Sequence, residues 1–486
     1  MNLLLSGFHD ERQFGVIDNI QSSFESTSIH LITTRACEDS LVRNYPTLAL
    51  LFWEDLFWGI QNISCLEDCL PIDSQLIEAM APYETIVLRM MDRFSFVREY
   101  SYNQRKTMYL EYLRYWNDYV EKNEINFFIS QNIPHEVYDF VLLGICEIKN
   151  IKVLMFFQSQ INDLILPMRR YDESVVGLDK ELLLLSSKQD DEILYPEFVK
   201  TALSDPLNRQ QPFYMVTPGI IKATIVEIRR FIAVVFSSKK YYRNKWNIKY
   251  LVYKLMLVLR KVKISYDSSR LEKFYKSVCI MPNLGGAYVY LALHYQPELT
   301  TSPLAGSFVD QGLIIELLAA SIPADMMLYV KEHPKQSSIG REVNFYSKYA
   351  AYRNVRFISN KCSSFDLIDG AFCVATCTGT VGWESVVRGK SILLFGDTFL
   401  SRAPGAYRIK NEQDLKLAMQ LIEKDSNAVR RLKELNIFLA ALSKVSIFGF
   451  CDPGYASIST TNFTVSNSNI AEYVISFIKE EIKVTL

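Results

Sequence analysis

From Gly285 onward, short apolar runs alternate with segments whose apolar residues recur at helical spacing. AYVYLALHY, MMLYVKEH, VRFIS, FCVATC and SILLFG read as five buried strands, and 311–320, 341–352, 364–369 and 381–388 as the helices between them. Strands and helices in strict alternation predict a doubly wound parallel sheet. The N-terminal half shows one clear unit of the same kind, in which INFFIS, the loop QNIPHE, the helix VYDFVLLGICEIKN and IKVLMFF make a βαβ unit. Residues 46–117 read as mainly helical, and the opening MNLLLSGFHD reads as a first strand, since it lacks the basic start, long apolar run and cleavage site of a signal peptide. The fold expected is α/β with two Rossmann-like domains facing a cleft, one at 1–200 and one at 281–486, joined by a basic helical connector at 201–280.

The connector changes the picture of charge. Residues 222–263 carry twelve Lys or Arg and one acid, Glu227, with aromatic and aliphatic residues between them, although the whole chain has a net charge of -1. Such a segment is either a basic surface for anionic lipid or an acidic acceptor, with Lys239, Lys240, Arg243 and Lys245 at its centre, or a solvated interdomain helix. The near-neutral total argues against a general nucleic-acid binder. The chain has 49% hydrophobic residues and no run of 18 apolar residues, so a globular protein without a membrane-crossing helix is expected. Nine cysteines, mostly in apolar stretches, read as reduced thiols of a cytoplasmic protein, peripheral at the inner face of the membrane if the basic segment binds lipid.

The polar residues of the C-terminal half gather where strands end: His294, Gln296 and Glu298 after the first, Lys331, Glu332 and His333 after the second, Thr378, Gly379 and Thr380 after the fourth. In a doubly wound sheet these ends share one crevice. GxGxxG and GxxxxGK[ST] are absent, which counts against hydride transfer and P-loop chemistry. CTGTVGWESVV offers another anion site, with Thr378, Gly379 and Thr380 leading into a helix N-terminus and Glu384 one turn on, placed for ribose hydroxyls. His333 at its strand end can donate to phosphate, with Lys331 beside it. Gln296 and His294 are candidate substrate contacts. Glu298, and Glu136 and His135 from the N-terminal loop, are candidate catalytic groups. No metal-binding motif stands at a strand end, so neither metal nor cofactor is expected, and the crevice suits a nucleotide.

The strings LHYQPELTTSP, LYVKEHP and TGTVGWESVVRGKSILLFG resemble the bacterial capsule polysaccharide biosynthesis family, which includes Kdo transferases of the two-domain GT-B fold. The resemblance implies a metal-independent glycosyltransferase in which His333 and the Thr378–Thr380 turn bind nucleotide phosphate and Glu384 the nucleotide sugar. It implies a CMP-linked acidic sugar as donor and a glycan or glycolipid acceptor. A UDP-, GDP- or CDP-linked donor, an epimerase on the same scaffold and a non-catalytic partner in polysaccharide assembly stay open.

Overall fold

The computed structural model describes residues 1–187 except 25–26, 58, 60–65 and 162, and residues 248–485 except 426–427; side chains at 248–255, 428–429 and 484–485 are also excluded. The basic residues Lys239, Lys240, Arg243 and Lys245 lie outside the described residues.

Two sheets organise the chain. The first contains β1 (Asn2–Ser6), β2 (Ser28–Thr33), β3 (Ala49–Phe52), β4 (Phe127–Ser130), β5 (Lys152–Gln158) and β6 (Leu164–Met168). The second contains β7 (Tyr288–Ala292), β8 (Met327–Lys331), β9 (Val355–Phe357), β10 (Cys373–Thr376), β11 (Ile392–Leu394) and β12 (Ala406–Arg408), and β13 (Ile447–Phe448) follows. The orders are β13-β6-β5-β4-β1-β2-β3 and β12-β11-β10-β7-β8-β9. Each chain segment starts in mid-sheet, adds two strands on one side, then returns to build the other, which is the Rossmann order. The reversals fall between β1 and β4 and between β7 and β10, and they open a crevice at the strand ends.

The five strands expected in the second domain are present and parallel, and β12 extends them. Alternation explains their burial: Tyr288 and Tyr290 of β7 enter one apolar cluster while Val289 and Leu291 enter another, so helices cover both faces. The expected βαβ unit forms as β4, helix Tyr138–Ile148 and β5. Five strands were not legible as such: β2; β3, within the stretch read as helical; β6, which pairs antiparallel with β5; β12, only three residues long; and β13, of two residues.

The domain boundary at 281–486 needs correction. Strand β13 pairs antiparallel with β6 of the first sheet, and helix Phe463–Thr485 packs on helix Gly15–Ser23. Gln13 Nε2 donates to the Cys451 carbonyl at 2.7 Å, and Lys152 and Arg169 hold Glu481 at 3.1 and 2.6 Å. The last part of the chain therefore completes the first domain. Within the connector, helix Ile248–Val278 packs on helix Val343–Ala350, and Arg260 reaches the first domain through the Ser95 carbonyl and Glu99.

Candidate functional site

The candidate anion site of the second domain is the helix start at its reversal point. After β10 the chain enters helix Thr380–Val387 with Gly379 as its N-cap and no side-chain cap. No hydrogen bond from the N–H groups of Gly379, Thr380 or Val381 is formed among the described residues. A helix start with open donors attracts phosphate.

His294, expected to touch substrate, sits beneath this turn instead. Its Nε2 lies 2.8 Å from Thr376 Oγ1 and accepts the N–H groups of Cys377 and Thr378 at 3.1 and 3.3 Å. Burial drives its pKa down to about 3, so the ring stays neutral and Nε2 stays an acceptor. Gly379 has no Cβ because one would come within 2.9 Å of His294 Cε1. Gln296 is likewise spent internally: Nε2 donates to the Val309 carbonyl and Oε1 accepts from Arg341. These two residues shape the site from below. The buried Glu332–Arg341 pair at 2.8 Å, with Tyr346 on the same carboxylate oxygen, is structural in the same sense. Thr378 also gives its hydroxyl proton inward, to the Thr300 carbonyl at 2.9 Å, which leaves Thr380 and the open backbone groups for a ligand.

Lys331, His333 and Glu384 keep polar atoms toward the crevice. Lys331 Nζ is held by the Cys362 carbonyl at 2.7 Å and Ser364 Oγ at 2.9 Å, and its charge acts on Glu384. His333 Nδ1 accepts the Lys335 N–H at 3.2 Å, so in the neutral ring Nε2 carries the proton. Burial first, then Lys335 and Arg341, push its pKa down to about 4, which keeps it a neutral donor. The Glu384 carboxyl makes no hydrogen bond among the described residues, and burial pushes it up to about 7 against the pull of Lys331 and Arg388. A half-buried carboxylate with free oxygens suits a pair of ribose hydroxyls.

The first domain contributes the facing wall. Asp139 accepts from the N–H groups of His135 and Glu136 at 3.0 and 2.6 Å, which presents both side chains at the end of β4. His135 Nδ1 donates to the Ile133 carbonyl at 2.6 Å, leaving Nε2 with a lone pair, although burial and Arg93 hold its pKa near 3. Glu136 Oε2 accepts from Trp53 Nε1 at 2.7 Å, and burial raises its pKa. Of the two, Glu136 is the stronger base. Next to it Val137 has φ 74° and ψ -68°, and the Tyr138 N–H closes on the Glu136 carbonyl at 3.0 Å, a strained three-residue turn. Glu298 enters from the second domain; it is reached by solvent yet hemmed in enough that its pKa rises, and it takes the Thr300 hydroxyl at 3.0 Å.

Arg93, in the short helix Met91–Phe96, is the group that sequence reasoning missed. Glu136, Asp139 and Glu298 all act on its charge, and Nη2 donates to the Ser302 carbonyl at 3.0 Å across the domain boundary. Nothing in its sequence neighbourhood distinguishes it from Arg89 or Arg98.

Fold and site together define a GT-B-like pair of Rossmann-type domains with a candidate anion site at a helix start of the second and acidic groups on both walls. Residues 301–417, which include Lys331, His333 and Glu384, match the family model described as capsule polysaccharide biosynthesis protein. Among solved structures, the chain is similar to the KpsC beta Kdo 2,7 transferase of Thermosulfurimonas dismutans (10% identity, 86% of this chain and 90% of that one, TM-score 0.31). It is also similar to a UDP-GlcNAc 2-epimerase of Neisseria meningitidis bound to UDP-GlcNAc (12%, 92% and 98%, 0.26) and to the calicheamicin glycosyltransferase CalG4 (10%, 94% and 97%, 0.25). No curated protein matches the chain. The chain's own sheet order makes both domains Rossmann-type.

Proposed function

We propose that the protein is a glycosyltransferase of surface polysaccharide assembly, which moves Kdo or a related acidic sugar from a CMP-linked donor onto a growing glycan or lipid-linked acceptor. The observation that carries this reading is a set of three features at one sheet edge: N–H groups at Gly379–Val381 that make no hydrogen bond among the described residues, the neutral His333 donor, and a Glu384 carboxyl that likewise makes none. The first two neutralise a leaving phosphate and the third holds a ribose. Oriented N–H donors do this without reorganising as charge develops. Glu136 or Glu298 then takes the proton of the attacking acceptor hydroxyl.

Docking at an anionic membrane is part of this proposal. On helix Ile248–Val278, Met256, Leu259, Val262 and Tyr266 are spaced to share one face and are 59–64% exposed. This apolar row adjoins the lysine- and arginine-rich segment, a pairing that suits shallow insertion beside acidic headgroups.

The test is a thermal-shift panel of CMP, UDP, GDP and CDP with EDTA present. CMP should stabilise the parent, by about 2.7 kcal/mol at 100 times its dissociation constant, and His333→Ala and Glu384→Gln should lose the shift. A response to UDP alone would redirect the donor assignment, and no response to any nucleotide would end the transferase reading. Donor turnover that inverts a sugar carbon without transfer would favour an epimerase.

A further inference from the structure

We propose that Arg93 binds the carboxylate of the sugar being transferred and so selects acidic sugars over neutral ones. This deepens the donor reading above and rests on it.

The guanidinium has five N–H groups, and the Ser302 carbonyl takes one of them. Nε is buried without a partner, and no carboxylate lies within ion-pair distance of Arg93 among the described residues. The three acids around it are each engaged elsewhere. Glu136 is held by Trp53 Nε1, Asp139 by the N–H groups of His135 and Glu136, and Glu298 by the Thr300 hydroxyl. Burying a guanidinium without an ion pair is costly, and a ligand anion offsets that cost. Its planar fork matches a carboxylate.

Position decides which anion. Thr378 is bonded to the Thr300 carbonyl, Thr300 in turn to Glu298, and Glu298 acts on the charge of Arg93, so a short run of contacts links the phosphate turn to Arg93. The phosphate has its own donors at Gly379–Val381. A group that reaches Arg93 while the phosphate stays there belongs to the sugar.

The experiment uses the full chain saturated with CMP and titrated calorimetrically with the methyl glycoside of Kdo or with its carboxamide. The parent should bind the acid at least tenfold more tightly than the amide. Arg93→Gln should erase that preference, Arg93→Lys should keep part of it, and CMP affinity should stay within twofold in both. A preference that survives in Arg93→Gln, or a parent that does not distinguish acid from amide, overturns the inference. Failure of the parent to bind CMP would instead remove the donor reading, and the acid-against-amide comparison without nucleotide would still judge Arg93. If Arg93→Gln does not fold, Arg93→Lys decides: full retention of the preference in a folded variant would support a charge effect without fork recognition and count against the proposal.

Discussion

His294 Nε2 and Thr376 Oγ1, 2.8 Å apart, join the end of β7 to the end of β10 at the point where the strand order reverses. Because the same nitrogen accepts two backbone N–H groups, it fixes the turn that presents Gly379 and Thr380. His294→Ala should therefore weaken nucleotide binding without having touched nucleotide. Leaving those donors buried and unmet costs about 1–3 kcal/mol, readable as a lower Tm. Gly379→Ala should lose binding for the complementary reason, since the new methyl meets the imidazole. Normal nucleotide affinity in both variants would detach the turn from the site.

Glu136→Gln and Glu298→Gln should keep the fold, and at least one should reduce transfer by about 100-fold or more, the usual size for a lost general base. The loss should appear in kcat with little change in CMP affinity. Unchanged turnover in both would move the proton-accepting role elsewhere.

The Glu384 carboxyl gives a pH signature. Its pKa in the folded state is raised from an ordinary 4.5 to about 7, so between those values the folded protein holds a proton that the unfolded chain has released. The stabilising contribution is full below about pH 4.5 and is lost as pH rises through 7. Glu384→Gln should be more stable than the parent at pH 8 by roughly 3 kcal/mol, and this gain should fade toward pH 5. The same variant should bind nucleotide poorly at both pH values. Melting curves at pH 5 and 8 decide the first point: an equal difference at the two pH values would mean that the carboxyl titrates normally.

If the exposed row on helix Ile248–Val278 inserts into acidic bilayers, Leu259→Glu with Val262→Glu should abolish sedimentation with phosphatidylglycerol vesicles at low salt. Changing Lys239, Lys240, Arg243 and Lys245 to Glu should do the same, and added salt should weaken binding of the parent. CMP binding should be unaffected. Equal partitioning onto neutral vesicles would argue against the electrostatic part.

The second domain was largely readable because its strands are buried on both faces, so each is a nearly unbroken apolar run between polar loops. His333 at such a loop position, and Glu384 one turn into the helix that follows another, could be placed on one edge from strand order. What strand order cannot convey is which way a side chain is spent. His294 and Gln296 occupy the expected positions yet bond inward, because a buried polar group must find partners wherever packing supplies them. Arg93 was invisible for the opposite reason: its surroundings come from Glu136, Asp139 and Glu298, distant in sequence and partly in the other domain. Strand β3 was hidden among aromatic helix formers, and β13, two residues long, carries no periodicity to detect.

The closing stretch of the chain also sets a timetable for synthesis. Cys451 donates its backbone N–H to Gln158 Oε1, a partner made 293 residues earlier. At roughly 5–20 residues per second, that separation is about 15–60 s of translation. Throughout that interval the nascent first domain carries β6 as an open, apolar edge, a template for wrong pairing with other chains. The second domain, whose strands all come from one continuous stretch, can finish first. In this molecule the half translated earliest is the half completed last, and a premature stop near residue 445 would injure the beginning of the fold more than its end.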